Sequence, residues 1–262
     1  MTAGTETVRV AVADRVATIT LARPEALNAL DRPMKAGLLA ALRRVDRDPE
    51  IRAVILTGEG RAFCAGQDLR EPFGGEHPTL EDEVRDRYNP LILAVRRLSK
   101  PVIGAINGVA AGAGCSLAFA CDLRIAAEGA SFVLAFGRIG LVPDSGASWF
   151  LPRLVGSARA AELALIGDPL SAADAERLGI VSRVVAGDAL LGEAASLGAH
   201  LAAGSPRAMA LTKRALAFAE TATLEQALAN EAYLQGIAGR SADHAEGLAA
   251  FREKRAPRFT GE

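Results

Sequence analysis

Two short apolar runs, Arg52–Thr57 (RAVILT) and Pro101–Ile106 (PVIGAI), each stop at a glycine-bearing loop. A continuous apolar run of this length reads as a fully buried strand. Further β-rich runs follow the same reading: Val8–Val12 and Val16–Leu21, separated by Ala13-Asp14-Arg15 as an opening hairpin, then Asp122–Ala126, Ser131–Leu134 and Ile180–Val185. Helical patterns alternate with them. Asp31 can cap a helix with Pro33 in its first turn and Met34, Leu38, Leu39, Leu42 and Val45 at helical spacing, until Asp48-Pro49 stops it. Alternating strand and helix gives an α/β fold. Beyond Asp188 the pattern is wholly helical, with Ser205-Pro206 and Ser241 as helix starts. A division follows into a core over 1–200 and a helical region over 201–262.

The stretch Asn107–Asp122 (NGVAAGAGCSLAFACD) winds from small residues into a buried helix. Around Gly112 and Ala113 the first turn exposes backbone N–H groups that have no internal partner, where a developing oxyanion can bind. Such a start equally serves tight packing against a strand. Phe63–Leu69 (FCAGQDL) follows the RAVILT strand, where the carboxyl end of a strand opens into a crevice. It also reads as a plain turn in which Asp68 caps local backbone. Two backbone donors from these two loops could grip one carbonyl oxygen, a grip most valuable when an enolate forms beside a thioester.

Asp144, in GLVPDSG, has apolar residues before it and small ones after. It reads either as a helix cap ahead of Ala147–Leu151 or as a carboxylate in an apolar cleft, where desolvation raises its pKa and suits it to proton shuttling. Between the two loops the more polar Arg70–Ser99 is expected to cover the cleft, and Phe63, Phe73, Phe136 and Trp149 are candidates for an aromatic-sized pocket.

Other functions find no support. With 30 basic and 31 acidic residues there is no electrostatic footprint for nucleic acid or an anionic membrane. No stretch supplies ~18 uncharged apolar residues in a row, and the first residues lack a basic start followed by an apolar core, so a cytoplasmic protein is expected. Cys64, Cys115 and Cys121 form no CxxC pair, and His77, His200 and His244 lie far apart, so neither a zinc site nor any other metal is expected. Phosphate-loop, dinucleotide and GxSxG patterns are missing. Cys64 and Cys115 read as small apolar fillers.

Arg23–Asn28 (RPEALN), the Ala65–Leu69 loop, Lys100–Asp122 and Phe251–Phe259 together resemble the crotonase, or enoyl-CoA hydratase/isomerase, superfamily along nearly the whole chain. The resemblance implies a spiral of ββα repeats with carboxyl-terminal trimerisation helices, trimers that pair into hexamers, and an acyl-CoA thioester as substrate. It implies oxyanion-hole amides at Ala65 and Ala113, a coenzyme A site lined by Arg23, Ala26, Gln67, Asp68 and Leu69, and Phe251 and Lys254 reaching a neighbouring subunit's adenosine moiety. No cofactor beyond the coenzyme A of the substrate is implied. The family's hydratases hold water with two glutamates, which fall here on Ser116 and Phe136. Neither residue can act as a base, so hydration of a 2-enoyl-CoA is expected to be poor. Asp144 stands where family isomerases carry their acid. Phe132–Asp144, Arg153, Gly239–Asp243 and Lys254–Gly261 resemble the branch that isomerises ring-1,2-epoxyphenylacetyl-CoA to oxepin-CoA and moves 3-enoyl double bonds to the 2 position. A broad enoyl-CoA hydratase and a non-catalytic acyl-CoA-binding paralogue are the alternatives.

Overall fold

The computed structural model describes residues 7–262, so most of the amino-terminal stretch read for a leader lies outside the described residues. β1 (Val8–Ala13) and β2 (Val16–Leu21) pair antiparallel through Asp14 and Arg15, both at positive φ (49° and 63°), the geometry of a two-residue hairpin turn. α1 (Arg32–Arg47) begins where the Asp31 side chain accepts from the Met34 N–H, and it buries Met34, Leu38, Leu42 and Val45. β3 (Ala53–Gly58) and β4 (Ala62–Cys64) follow, then α2 (Leu80–Glu83), a π-helical turn over Val84–Tyr88, and α3 (Asn89–Arg97). Next come β5 (Val102–Ile106), β6 (Val109–Ala111) and α4 (Ala113–Ala120), then β7 (Leu123–Ala127), β8 (Ser131–Val133), α5 (Ala147–Val155) and α6 (Ser157–Ile166). β9 (Leu170–Ser171), α7 (Ala172–Arg177), β10 (Arg183–Val185) and α8 (Leu190–Ala202) lead to α9 (Pro206–Ala219), α10 (Leu224–Ala238) and α11 (Ala242–Glu253).

Six strands form one sheet in the order β1-β2-β3-β5-β7-β10, parallel throughout except for the β1–β2 hairpin. Four short strands form a second sheet, β4-β6-β8-β9, parallel until the antiparallel β9. Each of β3, β5 and β7 continues into a short strand of the second sheet, so the chain climbs as repeated ββα units, the expected spiral.

The apolar runs are continuous because both faces of the large sheet are covered. Val54, Leu56, Val102 and Ile106 join the main core between the sheets and helices, whereas Ala53, Ile55, Ile103, Ala105 and Ile125 face Leu190, Ala194 and Ala202 of α8. The expected division after residue 200 therefore falls inside a helix whose apolar face belongs to the sheet.

Three expectations need correction. The paired part of Ile180–Val185 is only Arg183–Val185, with Ile180 and Val181 packed in the core as a loop. The glycine-rich approach to α4 contains a strand, β6, which its small residues did not announce. Asp144 does not cap α5, whose N-cap is Gly146 with no side-chain cap bond.

Candidate active site

The loop after β4 is held rigidly from behind. Asn28, fully buried and at φ 57°, accepts from the Arg23 N–H and donates through Nδ2 to the carbonyls of Glu59 (3.0 Å) and Ala62 (2.8 Å). The segment so fixed takes the Ala65 N–H on the Leu27 carbonyl (3.0 Å), donates from Leu30 to Gly66 O (2.7 Å) and accepts from Asp68 N–H on Leu30 O (3.2 Å). The Ala65 amide expected in an oxyanion hole is therefore committed elsewhere. Of the loop residues that border the cavity, Gln67 and Leu69 carry N–H groups with no acceptor among the described residues, and Gln67, the nearer of the two in sequence to Gly66, where the loops meet, is the one we substitute for Ala65 in that role. Gly66 permits the arrangement. It sits at φ 87°, and a Cβ there would stand 2.7 Å from Ala111 O and 3.3 Å from the Ala113 nitrogen, so the two loops touch only because one side chain is missing. Ala113 opens α4, where the helix supplies no partner for its N–H. The next residue, Gly114, brings that helix start against the Cys64 carbonyl, 2.1 Å from where a Cβ would lie.

Both loops face a cavity of about 490 Å³ with a mainly apolar wall, including Leu69, Phe73, Leu80, Val84, Tyr88, Phe136, Ile139 and Leu141. Asp144 lies on the wall, half-buried, and burial raises its pKa above the ordinary carboxylate value, opposed by the Ser145 hydroxyl that donates to Oδ1 at 2.9 Å. The backbone here is fixed by unusual means: Ser145 adopts φ 51° and Gly146 φ 84°, and the buried Ser116 Oγ donates to the Asp144 carbonyl at 3.0 Å. Ser116 thus lies beneath the site and not on its wall, contrary to the expectation that it contacts substrate.

The cavity wall contains Ala65, Gln67, Leu69, Gly112, Ala113, Phe136 and Asp144 of the expected residues. Arg23 and Asp68 stand behind the loop: Asp68 is buried, bonded to Arg70 (2.7 Å) and Arg23 (3.0 Å), and these guanidiniums hold its carboxyl well below the usual range. Ala26 belongs to the same supporting segment and is likewise off the wall. Phe251 and Lys254 are exposed at the end of α11 and do not border this cavity within one chain. Of the four aromatic candidates, Phe73 and Phe136 line it, Phe63 is core, and Trp149 borders a separate depression beside Phe150. All three cysteines are buried, with thiols pushed up to about 12, too high for a thiolate nucleophile at neutral pH.

Sequence reasoning missed a buried polar group beside the wall. Lys35, on the apolar stripe of α1, contacts Glu83 and lies 3.4 Å from Glu71, with its ammonium 4.8 Å from the Tyr88 ring centroid. The signal was a lone lysine between Met34 and Leu38, where the helical period calls for an apolar residue. Glu83 borders the cavity, but its carboxylate is engaged by Lys35 and Arg87.

Comparison with known proteins matches the chain along nearly its whole length. The enoyl-CoA hydratase/isomerase family model matches residues 12–262. A 1,2-epoxyphenylacetyl-CoA isomerase of Escherichia coli (strain K12) is 48% identical over 250 residues, 94% of this chain and 95% of the relative. A protein of Rhodobacter capsulatus named "Probable enoyl-CoA hydratase" is 46% identical over 255 residues, 97% of this chain and 98% of the relative. Among solved structures, enoyl-CoA hydratase from Bacillus anthracis superposes with a TM-score of 0.92 at 36% identity, over 98% of this chain and 100% of that one.

Proposed function

The chain belongs to the enoyl-CoA hydratase/isomerase family, and from that premise we propose that it is an acyl-CoA isomerase in which Asp144 is the single acid and base. The observation that carries this reading is the solitude of Asp144. It is the one carboxylate of the cavity wall, among the described residues, that no cation engages. The family's water-activating glutamates are replaced by Phe136, a ring, and by Ser116, whose hydroxyl is used on the Asp144 backbone.

The thioester oxygen accepts from the N–H groups of Gln67 and Ala113. Asp144 takes a proton from C2 of a 3-enoyl thioester, and the electron pair moves into the carbonyl to give a dienolate stabilised by those two donors. The same carboxyl then returns the proton to C4, leaving the 2-enoyl thioester with no atom gained or lost. An apolar wall raises the aspartate pKa toward the working pH, which suits both transfers. The cavity volume lies within the usual small-ligand range of roughly 300–1,000 Å³, and Phe73, Tyr88 and Phe136 in its wall favour a ring-bearing acyl group such as the 1,2-epoxyphenylacetyl thioester of the Escherichia coli relative's name.

Arg23, Ala26, Asp68 and Leu69 shape the coenzyme A entrance in this reading, the first two and Asp68 from behind the loop. Phe251 and Lys254 serve a neighbouring protomer of a trimer or a dimer of trimers, in keeping with exposed Leu216, Phe218, Leu224, Leu228 and Tyr233 on α9 and α10. The test is a substrate panel of 3-hexenoyl-CoA, ring-1,2-epoxyphenylacetyl-CoA and crotonyl-CoA. Isomerisation with slow crotonyl-CoA hydration is expected. Fast hydration without isomerisation, or tight binding with no turnover of any of them, would refute the reading.

A further inference from the structure

The carboxamide of Gln67 is held at every hydrogen-bonding position. Its Oε1 accepts from the Tyr88 hydroxyl (2.7 Å) and the Lys35 ammonium (2.9 Å), and its Nε2 donates to the Asp68 carbonyl (3.1 Å) and Glu71 Oε2 (3.0 Å). Tyr88, Lys35 and Glu83 are each only 2–3% exposed. Burying this much polarity costs stability unless every member is satisfied, and the apolar wall itself gains nothing from it. Burial pushes the Tyr88 phenol further up, so it remains a protonated donor at any working pH.

The π turn explains how the group assembles. In an α-helix Glu83 and Tyr88, five residues apart, would point about 140° away from each other. The Asn89 N–H instead bonds to Val84 O across five residues, and one π turn returns both side chains to one face, against Lys35. Such single π turns inside helices are rare and frequently lie at functional sites.

We propose that Tyr88 and Lys35 are positioning residues that lock the Gln67 side chain and thereby aim the Gln67 backbone N–H at the thioester oxygen. Locking a side chain from behind fixes the peptide plane that carries the N–H, so the donor needs no reorganisation as charge develops on the oxygen. The inference deepens the proposed function and rests on its two-amide grip.

The experiment compares wild type, Tyr88→Phe, Gln67→Met and the double variant in the full chain. It reads 3-hexenoyl-CoA isomerisation and the infrared carbonyl band of bound cinnamoyl-CoA. Removing an oxyanion donor outright costs about 10²–10³ in kcat, so misdirecting one is expected to cost about tenfold. Tyr88→Phe should show that loss with KM changed less than about twofold, and the carbonyl band should return toward its solution position. Gln67→Met keeps the amide but frees it, and should lose a similar factor; the double variant should lose no more than either single one. Full kcat and an unshifted band in Tyr88→Phe, or full kcat in Gln67→Met, or additive losses, would overturn the proposal. Should Tyr88→Phe fold poorly, Gln67→Met alone decides. A wild-type protein that leaves the carbonyl band at its solution position would instead sink the two-amide grip itself.

Discussion

Replacing Asp144 by asparagine is the sharpest perturbation of the proposed chemistry, because it changes the proton inventory and little else. The side chain keeps its shape, and the Asp144 carbonyl keeps both of its bonds, from Ser116 Oγ at 3.0 Å and from the Ala147 N–H at 2.9 Å. Stability should therefore hold or improve at neutral pH. The folded-state pKa is raised by burial, so ionised Asp144 destabilises the fold above that pKa and ceases to do so below the unfolded value; an uncharged amide removes the penalty. Turnover should collapse. A positioned acid–base group contributes about 10²–10⁴-fold, and one carboxyl here performs both transfers with no ionisable neighbour free to replace it, which places the loss near the top of that range, about 10⁴ or ~5 kcal/mol of barrier. The assay is the rise in ultraviolet absorbance as 3-hexenoyl-CoA becomes conjugated, with acyl-CoA affinity measured separately by calorimetry. Affinity should change less than about threefold, since the two amides and the apolar wall remain. A variant within tenfold of the wild-type rate would refute Asp144 as the base, and a large loss of binding would show that the residue shapes the pocket instead.

Three further outcomes follow from the same geometry. Ser145→Gly removes the hydroxyl that lowers the Asp144 pKa and relieves a positive φ, so the acid limb of the kcat/KM–pH profile should move to higher pH without loss of thermal stability; a limb that stays or moves down contradicts this. Gly66→Ala places a Cβ 2.7 Å from Ala111 O at φ 87°, which should destabilise the fold by about 1–3 kcal/mol in urea denaturation and separate the two donor loops, lowering kcat at least ~10²-fold. Asp68→Asn removes the buried partner of Arg23, which keeps Asp31 at 2.9 Å, and of Arg70, whose side chain is largely exposed, so it should cost about 1 kcal/mol at pH 7. Because the folded-state pKa of Asp68 is depressed, its contribution is present above the unfolded value of ~3.9 and is lost as pH falls further, so mutant and wild type should converge in strong acid.

The strands and the first helix were legible because their signals are local: an apolar run, an Asp31 cap, a proline at the right place. The short strand Val109–Ala111 was not, since three small residues carry no period and gain their pairing only from the neighbouring turns of the spiral. Asp144 and the Gly112–Ala113 helix start stood out as chemistry in the sequence, and both border the cavity. The choice between the Ala65 and Gln67 amides was invisible there, because it depends on which N–H the Leu27 carbonyl consumes, a contact set by the left-handed Leu27 and Asn28 many residues earlier. Of the Lys35–Glu83–Tyr88 group only the lysine on the apolar stripe of α1 left a trace in the sequence, for bringing Glu83 and Tyr88 to it needs a π turn that no residue spacing announces.

The two-sided burial of the large sheet separates durability from chemistry at single-residue resolution. Ile55, Ile103 and Ile125 look toward α8, while Leu56, Val102 and Ile106 look into the body that supports the cavity. Neighbours along one strand thus belong to different trades. A library confined to the α8-facing set can be screened for heat tolerance with the reaction left alone, whereas altering the adjacent residues disturbs the packing on which the cavity rests.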